Sequence, residues 1–555
     1  MGKKRGGKKK GAGGGSSAPS SSVAAAATNT VDELREIDEQ IKMMMNATAA
    51  PSQSPWHRVQ DVLKAIDAVI KLQKKVALCH KPVHTLDRKK ALERFEVWLG
   101  ERGMDQETRK WRFEQMETSG FGVIASANSR EEGAAGAAKT DKSAKIRAVV
   151  AANEVVVATP IKMCLTTNTA LEDPQLGPAL ANDEFLAEKP TLCLAMHLLV
   201  ERKKGARSSW ATYIDTLPRE FSVPHFWSVN DFYSFRGSTS FLSAVKTICS
   251  LVYAYAYVYE KIRSGEISLG EEWGSDESAG FAFTFEDFRW AVCVAMTRQN
   301  PIPSASGENM ILALIPIMDM FNHDLGTNMP YYDAEKDAVC VTASKAHVDG
   351  EEIFMSYGSR PNRELLLYSG HVVRPNPHDN VQVFLRLDDA DPLCKVRRLL
   401  LMKEDIAPKS PDGAYTFHIL YNGEPSKGLW IFAHIFFLPK EAIAEVMRNA
   451  GEDEMVRSQL ITSVMCVGVD VRRKAVEYMK RVIGTMLASI DSKKTSGGKH
   501  FTGPSKASGN LRLIEDAIAC ERHCLLECVK WCDAIGLTPC VFRDSSAQMN
   551  TAKTR

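Results

Sequence analysis

Three short groups of residues in this chain have types and spacing suited to chemistry. Gly120-Phe121-Gly122 opens a strand-like run; taken alone, a GxG also reads as a turn before a strand. Asn322-His323 closes the apolar run MILALIPIMDMFNH, where two polar side chains at the end of a buried strand need partners. Gly350-Glu351-Glu352-Ile353-Phe354-Met355-Ser356-Tyr357-Gly358 gives a turn, a strand, and then a phenol beside a glycine. Separately, each also has a structural reading: a turn, a satisfied polar pair, a packed aromatic. Together they supply backbone approach, polar anchoring and one aromatic hydroxyl, a set suited to holding and orienting reactants. The chain contains no phosphate-cradling P-loop, GxSxG elbow, HExxH pair or CxxC pair.

The elements that must carry these groups follow from periodicity. VDELREIDEQIKMMM and VQDVLKAIDAVIKLQKKVALC repeat apolar residues at helical steps. Leu192–Arg202 has a helical stripe, and the breaker-free length of Phe241–Ile262 favours helix despite its alternating tyrosines. Thr284–Asp287 (TFED) is a capping box with Phe283 and Phe288 placed as its staple, opening a helix that must end by Asn300, before Pro301. Met310–Ile317, Ala338–Thr342 and Ile353–Met355 are short strands, with Asp349-Gly350 a turn between the last two. GFGVIASA and VVAANEVVVATP are expected to form a hairpin with a flexible insertion at 129–145. From Leu399 onward helical spacing dominates, with a loop over Ser492–Gly509. Cys520, Cys524, Cys528 and Cys532 recur every fourth residue; this is a core stripe, since four thiolates along one helix do not surround a metal.

In order, GxG, NH and GEExxxSYG resemble the SET-domain protein methyltransferases. TRQNPIP, ALIPIMDMFNH and EEIFMSYGSRPNRELLLYSG, with FEVWLGERG, SGFGV and WATYIDTLPREF upstream, are similar to the branch containing the actin-histidine and Rubisco lysine methyltransferases. The resemblance covers about residues 90 to 385. It implies an α+β fold: SET-domain β-sheets with a pseudoknot, a helical insertion, and an all-α C-terminal substrate-binding domain. The expected parts are a basic Gly/Ser/Ala tail (1–30), a helical segment (31–90), the SET domain (91–375, insertion about 168–288) and the helical domain (380–545).

S-adenosylmethionine would be the methyl donor, with no metal. Gly120, Phe121, Gly122, Arg298, Asp319, Asn322, His323 and Ser369 would hold it. Tyr357 would stand at the transfer channel, and Gln299, Asn300, Met318, Met355 and Arg360 would face the substrate. Three positions depart from the pattern: Met318 replaces a tryptophan, Ser119 an acid and His371 an aromatic. Asn300 favours histidine as acceptor. A lysine, with a pKa of about 10.4, must first lose a proton, whereas a histidine at about 6.5 is mostly neutral and needs one ring nitrogen fixed so that the other can attack. An Asn amide can do that. The resemblance therefore implies an actin-histidine methyltransferase with Tyr357 and Asn300 as catalytic residues. The alternatives are a lysine methyltransferase on another partner and an inactive SET binding module.

Composition agrees. The 555 residues are 44% hydrophobic and 25% charged, and the length suits several domains. Six basic residues fall in the first ten; taking them from the formal net charge of +2 leaves the remaining 545 residues at −4. A body of that sign gives no reason to expect DNA as partner; only the tail could make weak nucleic-acid contact. The Gly2 start lacks the Ser or Thr that myristoylation wants at the sixth position. Thirteen scattered cysteines without a secretory leader, and apolar runs about half a bilayer long, point to a cytoplasmic, possibly also nuclear protein off the membrane. A monomer is the expectation from the family.

Overall fold

The computed structural model describes residues 21–49, 54–76, 87–104, 109–116, 120–127, 148–269, 273, 283–304, 306–410, 413–449, 469–495 and 509–536. The expected loop at 129–145, residues 496–508 of the expected Ser492–Gly509 loop and most of the basic tail lie outside the described residues, while 492–495 continue the helix Val469–Thr495. So does Ser119.

Helix begins at Ser21, inside the stretch that composition assigns to a tail, because SSVAAAAT is rich in the best helix former. This helix, Ser21–Ala49, packs antiparallel-like against Pro55–Val76, and both cover Phe241–Arg263. The last is long and apolar enough to cross a membrane by length and composition, but Ile248, Val252, Tyr255 and Tyr259 are buried in the core. Gln73 and Tyr255 are hydrogen-bonded to each other (2.7 Å), which satisfies the polar atoms this packing buries.

The strands are short and form small sheets. β1 (Trp111–Met116), β2 (Gly120–Ala125) and β9 (Glu352–Ile353) make one, in the order β1-β2-β9. β3 (Val155–Pro160), β8 (Ala338–Thr342) and β7 (Tyr331–Asp333) make a second. β4 (Leu165–Thr166), β6 (Met310–Leu314) and β5 (Asn300–Pro303) make a third. The expected hairpin of β2 with β3 does not form. β2 pairs with the preceding strand β1 on one edge and with β9 on the other, which leaves no edge for β3, and β3 pairs with β8. Likewise the Asp349-Gly350 turn, with Gly350 at φ +85°, joins strands of different sheets rather than a hairpin.

Between β4 and β5 every regular element among the described residues is helical, which is the insertion. Its last helix, Phe285–Arg298, starts where the Thr284 hydroxyl accepts the Asp287 N–H (3.2 Å), with the Phe283 and Phe288 rings in edge contact at 5.6 Å. It stops at Gln299 because Pro301 follows.

The C-terminal region is not all helical. β10 (Asn380–Leu385) and β11 (Tyr415–Leu420) form a two-stranded sheet, since NVQVFL and YTFHIL alternate in the period of a strand with one face buried. The helices Lys427–Phe437, Val469–Thr495 and Asn510–Gly536 complete this second core. Cys524, Cys528 and Cys532 are buried in it, as the stripe predicts. The region docks on the insertion through Glu521, whose buried carboxylate accepts from Ser238 Oγ (2.7 Å), Ser240 Oγ (2.8 Å) and the Thr239 N–H (3.0 Å).

Candidate active site

The site forms where β6 leaves its sheet. Ile317, a β-branched residue, sits at φ +73°, ψ −56°, a tight γ-like turn that costs of order 1–3 kcal/mol. This bend turns the chain into the short Met318–Met320 helix and buries Asp319. The Asp319 Oδ2 accepts from the Tyr213 hydroxyl (2.7 Å) and lies 3.4 Å from the Arg298 guanidinium, which also donates to the Asp319 carbonyl. Burial raises the Asp319 pKa, and Arg298 and Tyr213 work against that. Its other oxygen, Oδ1, is buried without a partner among the described residues.

Arg298 is the last residue of its helix, so the Pro301 stop fixes where its guanidinium emerges. A second guanidinium comes from Arg88, the first residue of Arg88–Gly100. It lies over the Phe121 ring at 4.5 Å and donates to the Thr216 carbonyl (3.0 Å). Burial, with the nearby Arg298 charge second, pushes its pKa down to about 10. Two cations and one carboxylate thus meet beside the GxG strand. At Gly122 a Cβ would stand 2.6 Å from Glu352 Oε1, so a larger residue would displace the carboxylate that holds Asn322.

The Asn322-His323 and Met355–Tyr357 segments cross. The Met355 N–H donates to the Asn322 carbonyl (3.0 Å), and His323 and Met355 form a parallel bridge. Asn322 Nδ2 donates to Glu352 Oε1 (2.7 Å) and to the Phe121 carbonyl (3.3 Å), tying the crossing to β2 and β9. His323 Nδ1 lies 3.2 Å from the Tyr357 N–H and 3.4 Å from the Met355 carbonyl, while Nε2 is buried without a partner among the described residues. The two rings stack, centroids 5.0 Å apart. The Tyr357 hydroxyl donates to the Phe321 carbonyl (2.8 Å), and burial pushes its pKa up to about 12.

His371 packs 5.8 Å from both rings, and burial lowers its pKa to about 4. Burial lowers the His323 pKa as well. Both imidazoles are therefore neutral at physiological pH. Ser369 ends the Leu365–Ser369 turn just before the left-handed Gly370 and His371.

On the other side, Asn300 Nδ2 donates to the Arg298 carbonyl (3.1 Å), leaving Oδ1 as the atom that can accept a proton donor. Gln299 donates its amide N–H to Thr191 Oγ1 (3.0 Å), with Oε1 buried and without a partner among the described residues. Met318 and Met355 are buried, and Arg360 is exposed at the rim. Arg298 and Asp319 are thus in direct contact, as are His323 and Tyr357, and Asn322 is tied to Phe121 and Glu352, while Gln299 and Arg360 make none of these contacts. Sequence reasoning missed Arg88, Tyr213 and Glu352. Tyr213 and Glu352 lay inside quoted motifs without an assigned role; Arg88 had no spacing signal, since only the tertiary fold brings its helix to Phe121.

Solved structures share this architecture. A Rubisco LSMT SET domain bound to lysine and AdoHcy superposes with TM-score 0.61 at 17% identity, covering 80% of this chain and 92% of the other. Rubisco LSMT bound to sinefungin and monomethyllysine gives 0.60 at 17% identity, covering 83% and 96%. The fold is a SET domain.

Among curated sequences, this SET-domain chain is 31% identical over 304 residues to an actin-histidine N-methyltransferase of Danio rerio, covering 54% of this chain and 48% of that protein. The human protein of the same name is 30% identical over 343 residues, covering 60% and 53%. The mouse protein is 28% identical over 422 residues, covering 74% and 63%. The chain spans about half the length of the first curated relatives it matches. No protein-family model matches it.

Proposed function

We propose that this chain is an S-adenosylmethionine-dependent protein-histidine N-methyltransferase acting on a histidine of actin. The names of the curated relatives support the substrate. The residues fit the donor. The Arg298 and Arg88 guanidiniums suit its carboxylate, and the orphaned Asp319 Oδ1 suits its ammonium. When bound, the donor supplies an electrophilic methyl group on a sulfonium.

The chain's part is orientation and exclusion of water. Tyr357, held neutral and already donating to Phe321, keeps its oxygen lone pairs for polarised C–H groups in the channel. The observation that carries the histidine reading is Asn300. With its nitrogen bound to the Arg298 carbonyl, Oδ1 accepts one imidazole N–H and fixes the tautomer whose other nitrogen attacks. No base is then required, and the proton of the methylated ring leaves to water after transfer.

Met318 favours a second reading. A buried thioether rather than a flat ring leaves room for a flexible lysine chain. Action in the cytoplasm as a monomer belongs to the same proposal. Replacing Asn300→Ala should lower methyl transfer to histidine about 100-fold while leaving donor affinity within about twofold. An equal fall in donor affinity, measured by calorimetry, would overturn the role given to Asn300.

A further inference from the structure

The helical insertion contains a buried cluster outside the donor pocket. Asp173 lies between two short helices, while His197 and Glu201 sit one turn apart on Pro190–Lys204. One ligand atom from each lies within 4.8 Å of the others. The Asp173 carboxylate is anchored through Oδ1, which accepts the N–H groups of Leu176 (2.9 Å) and Gln175 (3.1 Å). Glu201 Oε2 accepts from Ser208 Oγ (2.5 Å). The remaining oxygens both face one cation, the Lys204 ammonium, at 3.0 Å from Asp173 Oδ2 and 2.6 Å from Glu201 Oε1.

That arrangement is incomplete in two ways. Two carboxylates share a single positive charge, an imbalance that is costly at this depth. His197, only 2% exposed, has neither ring nitrogen hydrogen-bonded among the described residues.

We propose that Asp173, His197 and Glu201 form a structural binding site for a divalent transition metal of the zinc class, with the Lys204 ammonium as the competing occupant. Imidazole nitrogen and carboxylate oxygen are both zinc ligands, and three protein donors leave the fourth tetrahedral position to water. Ligands at ~2.0–2.1 Å in a tetrahedral site are about 3.3 Å apart, so side-chain rotation closes the present spread. The Lys204 side chain is 27% exposed and can swing to solvent, which leaves the divalent cation neutralised by the two carboxylates. The metal would tie Asp173 to the Pro190–Lys204 helix, the one that also carries Thr191 to Gln299.

The test uses the full chain, stripped with chelator, titrated with zinc chloride and desalted, with bound zinc measured by elemental mass spectrometry. His197→Phe should lose one equivalent relative to the unchanged chain, and Asp173→Asn should lose the same equivalent, which guards against a fold defect in either variant. Lys204→Met should bind that equivalent about tenfold more tightly, and its unfolding midpoint should become zinc-dependent. Equal zinc in the unchanged chain and both ligand variants would assign the metal to thiols elsewhere and overturn the site. No gain in affinity in Lys204→Met would overturn the competition.

Discussion

At the crossing of the Asn322-His323 and Met355–Tyr357 segments, side chains hold one another by polar contacts. Arg298 holds Asp319, Tyr213 holds Asp319, Asn322 holds Glu352, and Tyr357 holds the Phe321 carbonyl. In the C-terminal region, Cys524, Cys528 and Cys532 pack with Trp430, Phe432 and Ala475 in an apolar core. That region meets the rest of the molecule through a carboxylate cradle at Glu521. A polar network has one satisfied arrangement and fixes atoms where chemistry needs them; an apolar core has many near-equivalent packings and fixes only a shape. Single substitutions should therefore cost far more in the first region than in the second.

Arg298→Met gives the largest expected effect. It leaves the buried Asp319 carboxylate without its ion-pair partner, held by the Tyr213 hydroxyl, costs about 3–5 kcal/mol of stability and weakens donor binding at least tenfold. Denaturant unfolding and calorimetry check both, and a variant of unchanged stability would break the contrast. Cys528→Ala removes one sulfur from the apolar core and should cost only about 1–2 kcal/mol, with methyl transfer per folded molecule unchanged. A loss of transfer without unfolding would show that the stripe does more than pack.

Glu521→Gln should have the smallest effect at neutral pH, within about 1 kcal/mol. Burial, outweighing its three donors, raises the Glu521 pKa. A carboxyl whose folded value exceeds its unfolded one contributes most below the unfolded value and loses that contribution as pH rises through the folded one. The unfolding midpoint of the unchanged chain should therefore carry a slope above about pH 4.3 that Glu521→Gln removes. An unchanged slope in the variant would place the titration elsewhere.

The same contrast explains what was legible in the sequence. Helices announced themselves by period and capping, as with Thr284 and the Phe283–Phe288 staple. β4 and β9 are two residues long, and no local pattern tells such strands which partner to choose; β2 was thus assigned to β3 and found on β9. β11 was hidden because the helices around it set the apparent period of the region. In the site, Tyr213 and Glu352 lay inside motifs without a role, because their partners are set by the tertiary fold, and Arg88, whose place depends on a helix packing across the fold, had no motif at all. The cysteine stripe read correctly because burial along one helix is a local property.

The central claim is that this network presents a methyl group to an imidazole. The full chain incubated with actin and a methyl-labelled donor, followed by peptide mass spectrometry, tests it directly. The account predicts label on a histidine nitrogen of actin, lost in Asn300→Ala; label on a lysine, or none on actin, would contradict it.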